Sequence, residues 1–95
     1  MKFSAIIATA GLVASAAAKD VEVCKGVGFV DCVPVSSAWT CDNLVSGDGR
    51  PFVSGRVTSW GSCDIFSENG CSGISNNMDT EGWSKFPFNV KSIRC

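Results

Sequence analysis

The sequence predicts an all-β domain: two copies of one small β unit, packed face to face as a disulfide-linked β-sandwich. Three observations carry this. Cys24 to Cys32 and Cys63 to Cys71 each enclose seven residues, and the two pairs begin 39 residues apart. Each pair frames apolar residues and a glycine-containing turn, CKGVGFVDC in the first and CDIFSENGC in the second. Between turn signals, short stretches alternate apolar and polar residues, the period of a half-buried strand.

The elements follow in chain order. Val21-Glu22-Val23-Cys24 alternates and runs into Lys25-Gly26, so it reads as an entering strand. Gly28 to Cys32 is its partner, with Phe29 as a core candidate. Pro34 lacks a backbone donor and places Val33-Pro34-Val35 at an edge or at the exit of the hairpin. Ser36 to Leu44 holds Trp39, Cys41 and Leu44. Ser36-Ser37 could cap a short helical turn, but Thr40, Asp42 and Asn43 suit a helix interior poorly, so a strand or irregular segment around Cys41 stays open. Val45 to Pro51 is a loop, built on Ser46-Gly47-Asp48-Gly49. Phe52 to Ser59 is a strand with a glycine interruption at Gly55, and Trp60-Gly61 ends the first half. The second half repeats the plan: Ser62 to Phe66 as a strand, Ser67 to Gly70 as the turn, Cys71 to Ile74 as the return. Ser75 to Thr80 reads as a loop, Gly82 to Phe88 as an aromatic stretch broken by Pro87, and Val90 to Cys95 as the closing strand. Val57 and Ile93, 36 residues apart, fall in matching places, so the halves agree at their openings and at their closings.

Neither unit buries a sheet alone; face to face, their apolar sides supply one core. Its expected members are Val23, Phe29, Trp39, Leu44, Phe52, Val57, Ile65, Phe66, Phe86, Phe88, Val90 and Ile93. Ile65 and Phe66 are adjacent, so a regular strand turns only one of them inward.

The amino end and the cysteines indicate where the chain works. Met1 to Ala18 reads as a secretory signal peptide: Lys2 gives the positive start, Phe3 to Ala18 carries no charge, and Ala16-Ala17-Ala18 offers small residues for cleavage before Lys19. The run is shorter than the roughly 20 residues of a membrane helix, and no second apolar span follows. The expected organisation is therefore a signal peptide over 1–18 and one cysteine-rich domain over 19–95, secreted and extracellular. All six cysteines lie after the cleavage point, an even number that implies three disulfides. A domain this small depends on such bridges. Zinc is excluded by the absence of histidine and of close C-x-x-C pairs. The part from Lys19 onward carries seven basic and nine acidic residues, scattered along the chain. That distribution argues against nucleic acid or an anionic membrane as the main partner.

These features resemble the βγ-crystallin family. CDIFSENGCSG is similar to its folded first hairpin, and the closing NVKSIRC to its serine-containing last strand. The resemblance implies two Greek-key motifs, over about residues 21–59 and 62–95, in one sandwich. The same stretches, with the terminal SIRC, resemble small cysteine-rich secreted proteins of fungi with this fold, including candidate plant-pathogen effectors and killer toxins. Calcium-binding members carry Asp or Asn residues shortly before a Ser/Thr-Ser pair. The corresponding stretches here, Ser54 to Ser59 and Asn89 to Ser92, lack the acidic ligands that a hard cation with roughly six to eight oxygens needs. No cofactor is expected; weak calcium binding helped by Asp31, Glu68 and Asp79 is the unfavoured alternative. Six cysteines allow fifteen pairings. The working hypothesis is Cys24–Cys32 and Cys63–Cys71 across the two hairpins, with Cys41–Cys95 closing the body; cross-pairing between motifs is the rival.

Catalytic chemistry is thin. Without histidine or tyrosine, a serine or cysteine nucleophile lacks its usual base. Asp64 and Glu68 could form a glycosidase-like pair only if a cleft held them roughly 5–9 Å apart. The chain therefore reads as a non-enzyme and a monomer. Trp39 is assigned to the core, while Trp60, Trp83, Phe86 and Phe88 form the candidate binding surface. Three functions remain: a secreted interaction protein, of the fungal effector kind, acting on a host or competitor protein; an antimicrobial or killer-toxin-like protein; and a module binding carbohydrate or cell-wall polysaccharide. Trp60 and Trp83 exposed on one flat face would favour the last.

Overall fold

The computed structural model describes residues 18–95. Apart from Ala18, the expected signal peptide lies outside the described residues. The described residues form seven strands: β1 (Lys19–Gly26), β2 (Val30–Ser37), β3 (Cys41–Asn43), β4 (Ser54–Val57), β5 (Cys63–Glu68), β6 (Ser72–Met78) and β7 (Ser92–Arg94). The described residues contain no helix. One sheet has the order β2-β1-β4, the other β3-β7-β5-β6, and all pairings are antiparallel.

Both hairpins carry the same backbone irregularity. Gly28, Phe29 and Asp31 have positive φ in the first, and Gly70, Cys71 and Gly73 in the second. Each residue of the second set stands 42 positions after its mate, not the 39 that the cysteine spacing suggested. The inward positions agree with 42: Val21, Val23 and Cys24 are buried in β1, and Cys63, Ile65 and Phe66 in β5. The equal cysteine spacing is a coincidence. Cys24 matches Phe66, and Cys71 matches Phe29.

A buried serine clamps each folded hairpin. Ser54 lies opposite Cys24, donates to the Gly26 carbonyl at 2.7 Å and accepts from the Phe29 N–H at 3.2 Å. Ser92 lies opposite Phe66, donates to the Glu68 carbonyl at 2.6 Å and accepts from the Cys71 N–H at 2.9 Å. Both serines are fully buried. A hydroxyl suits the place because it donates and accepts within the volume of a small side chain. The closing strands are thus offset by 38, which aligns Gly55 with Ile93 and Val57 with Cys95, rather than Val57 with Ile93.

The third segment of each motif crosses to the other motif's sheet. β3 pairs with β7, from Cys41↔Arg94 to Asn43↔Ser92. In return, Trp83 forms a bridge with Gly55 through bonds of 2.8 and 3.1 Å, and the Phe86 N–H reaches the Val53 carbonyl at 2.6 Å. Gly82 has φ 71, and a Cβ there would stand 2.3 Å from the Gly55 carbonyl oxygen, so only glycine lets this crossing approach so closely.

Between the sheets lie Val21, Val23, Phe52, Val57, Cys63, Ile65, Met78, Phe86, Val90 and Ile93. Leu44 and Phe88 pack against this core half-buried. Three expected core residues, Phe29, Trp39 and Phe66, are not in it. Phe29 is half-buried beneath the Arg56 guanidinium, 4.7 Å from the ring centroid. Trp39 is 76 % exposed, because the link from β2 to β3 turns outward there. Ile65 and Phe66 are both buried; Ile65 faces the core, and Phe66 stands apart from that cluster with Arg94 5.5 Å from its ring centroid.

The disulfides are Cys24–Cys32, Cys41–Cys71 and Cys63–Cys95. The expected Cys63–Cys71 and Cys41–Cys95 pairs are corrected by strand geometry. Cys63 opens β5 opposite Met78, while Cys71 follows the turn at the far end. A strand of that length separates its ends by about 17 Å, far beyond the reach of a disulfide. β7 runs back along β5 and leaves Cys95 beside Cys63, at a Cα separation of 4.3 Å. The folded tip brings Cys71 to Cys41, with Cα atoms 5.8 Å apart. This bridge joins the two motifs.

Ser92→Ala removes one partner from each of two hairpin backbone groups. It should lower stability by about 2–3 kcal/mol, read as a drop in urea midpoint at constant slope. Ser75→Ala on the exposed face of β6 should stay within about 0.5 kcal/mol of the parent.

Candidate functional site

The four residues expected to form a binding surface are not brought together as one. Phe86 is a core residue at 5 % exposure, and Phe88 packs against the core. Trp83 is the crossing segment: its backbone pairs with Gly55, its indole N–H donates to the Asn77 carbonyl at 2.9 Å, and its side chain packs on the core. Trp60 alone of the four stands well exposed, at 53 %. One face of its ring carries the Lys19 ammonium 4.5 Å from the centroid, and that ammonium is itself tied to the Ser62 carbonyl at 2.9 Å. A flat platform of two tryptophans is therefore not formed.

Large apolar side chains are exposed instead around β3. Trp39 precedes it and Val45, 83 % exposed, follows it. Trp39 has φ 69, and the Thr40 N–H donates to the Ala38 carbonyl at 2.7 Å. This is a γ-turn of the left-handed kind, a rare and strained conformation, with a tryptophan at its apex. β3 is an edge strand of its sheet, and two bonds fix it beneath the hairpin tip: Cys41–Cys71, and the Gly70 N–H donating to Asn43 Oδ1 at 2.7 Å. Sequence reasoning missed this surface. Tryptophan is usually highly buried, and only the handedness of the Ala38–Thr40 turn reverses that preference.

A charged cluster braces the loop after β3. Asp48 accepts from the Arg50 backbone N–H at 3.0 Å and Arg50 Nε at 2.8 Å, and pairs with Lys25 at 3.1 Å. Arg50 also pairs with Asp31 across from the first hairpin. The Arg50 backbone N–H, then the Arg50 and Lys25 side chains, hold the Asp48 carboxyl well below the usual carboxylate range. Arg50 is pushed up in turn by Asp48 and Asp31.

The carboxylates weighed for catalysis or calcium are dispersed. Asp64 and Glu68 lie four residues apart along one extended strand, about 13 Å and so beyond the separation a glycosidase pair uses. Asp31 is engaged by Arg50, Glu68 lies 3.9 Å from Lys91, and Asp79 accepts from the N–H groups of Glu81 and Gly82. Since Ser54 is the mate of Ser92, the stretch corresponding to Asn89–Ser92 is 51–54, not 54–59. Among the described residues, one group of three metal-ligand types gathers, Glu22 with Cys24 and Cys32. Its sulfurs are joined to each other, and Glu22 accepts from Arg56 Nε at 2.7 Å. No helix of the described residues is long and apolar enough to cross a membrane.

Among solved structures, a βγ-crystallin from an archaeon superposes with a TM-score of 0.62 at 15 % identity, over 80 % of this chain and 95 % of that one. The fold is βγ-crystallin-like. No family model matches the sequence, and no curated protein matches it. The serine clamps and exchanged third segments described above are thus placed on a known architecture. The three disulfides are consistent with an oxidising, extracellular setting.

The low Asp48 carboxyl has a signed consequence. Its contribution to stability is complete above its ordinary value of 3.8 and is lost as pH falls toward the folded value. Relative to Asp48→Asn, the parent protein should therefore lose stability as pH falls from about 5 to about 2, with the gap narrowing toward the acid end. Urea midpoints across that range read it directly.

Proposed function

We propose that the protein is a secreted, disulfide-stabilised interaction protein of the effector kind, acting on a protein target of a host or competitor outside the producing cell. The observation that carries this is Trp39. An aromatic side chain 76 % exposed on a strained turn gains nothing for the fold, and residues in strained conformations concentrate at functional sites. Tryptophan is also among the residues that most often anchor protein interfaces. The surface has the right form: an edge strand flanked by Trp39 and Val45, held rigid by a disulfide, so little ordering cost falls on binding. Three bridges around a small core suit a protein that works where thiols are oxidised. The role is non-catalytic and the protein acts as a monomer.

Trp39→Ala should leave the urea midpoint nearly unchanged, since the indole is mostly exposed and alanine meets the same cost at positive φ. Capture from extracellular fluid of challenged host tissue, and from competitor culture, should retain a protein on the parent that Trp39→Ala does not retain. Equal retention by both variants contradicts the reading, as does retention only on chitin or glucan.

A further inference from the structure

The two motifs are related by an approximate twofold axis, and the bridge Phe52↔Val90 joins two mates across it. Two hydrogen bonds beside it are also mates. The Leu44 N–H donates to the Lys91 carbonyl at 2.9 Å, and the Phe86 N–H to the Val53 carbonyl at 2.6 Å. The side chains they carry differ. Phe86 and, two residues on, Phe88 fill their side of the axis with two phenyl rings packed on the core. Their mates are Leu44 and Ser46, and there a cavity of about 310 Å³ stays open.

The cavity has an apolar floor from Leu44, Phe52 and Val90, and a polar rim from Arg50, Lys91, Asn69 and Asn89. The rim is rich in donors. Arg50 is presented in a fixed pose because Asp48 and Asp31 hold it. Lys91 is held loosely, with Glu68 at 3.9 Å. A ligand that matches this lining has one apolar face, several acceptor oxygens and one carboxylate, the group that guanidinium and ammonium recognise best. The size is at the small end of ligand pockets and suits one ring rather than a chain. The geometry points to a binding site for a single uronate sugar unit, free or at the end of a polyuronate. This goes beyond the Trp39 interface, lies on different residues and does not depend on it. Asp48, Asp31 and Glu68 compete for the two cations, so binding is weak, with a dissociation constant of about a millimolar.

The test is amide NMR titration with galacturonate, trigalacturonate and neutral galactose. Galacturonate should give saturable shifts confined to residues 44–52, 69 and 89–91. Ser46→Phe, which copies the filled side, should abolish them while leaving the rest of the spectrum in place; Leu44→Phe serves if that variant does not fold. Lys91→Gln should weaken binding about tenfold, and galactose should bind at least about tenfold more weakly. Trigalacturonate binding as well as the monomer marks the polymer end as a source; its failure to bind marks the free acid. Absence of saturable shifts up to about 50 mM overturns the proposal. So do shifts that survive both filling variants, or equal binding of galactose.

Discussion

The exchange of third segments is the constraint on which the rest depends. A hairpin and one closing strand form a three-stranded layer whose apolar face has nothing to cover it. The third segment could extend its own layer, but here it crosses and pairs with the other motif's closing strand. β3 does this against β7, and Trp83 to Phe86 against β4 and the residues just before it. Each layer is then completed by the opposite half, and the core between them belongs to both. The folded hairpins are the other half of the same device. Their tips bend over the sheet only while Ser54 and Ser92 satisfy the backbone groups that the bend exposes.

Near-symmetry makes the departures from it informative. Where the first motif has the Val21 and Val57 cross-strand pair, the second has the Cys63–Cys95 bridge. Where the first has Phe29 beneath Arg56, the second has Cys71 bound to Cys41. Two phenyl rings on one side of the axis face a leucine and a serine on the other. A fold that needed only to be stable could have kept both halves alike. Apart from the Cys63–Cys95 bridge, the differences gather around β3, the loop after it and the second hairpin tip, and this is where the exposed aromatic, the braced ion cluster and the open cavity lie.

Much of this was legible in the chain. Alternation around Val23, Ile65 and Ile93 announced the central strands, and turn glycines marked both hairpins. The duplicated plan was right in kind, but the two matches that suggested it, the cysteine spacing and Val57 with Ile93, were both out of register. What local pattern could not supply was register. The cysteines suggested a repeat of 39, but the left-handed positions and the clamping serines set it at 42 and 38. Met78 was read as part of a polar loop because its neighbours Asn76, Asn77 and Asp79 are polar; it closes the core because the last residue of β6 turns inward. Trp39 was placed inside on composition, and one positive φ put it outside. Phe86 and Phe88 were legible both as core residues and as a surface patch beside Pro87, and they fill one side of the axis.

The crossing of β3 is tested most directly by peptide mapping of the non-reduced protein. Bridged peptides joining Cys41 to Cys71 and Cys63 to Cys95 are the expected result, since only a third segment lying under the opposite hairpin tip brings the first pair together. Recovery of Cys63 with Cys71, and of Cys41 with Cys95, would mean that the segment does not cross and that the two halves are joined some other way.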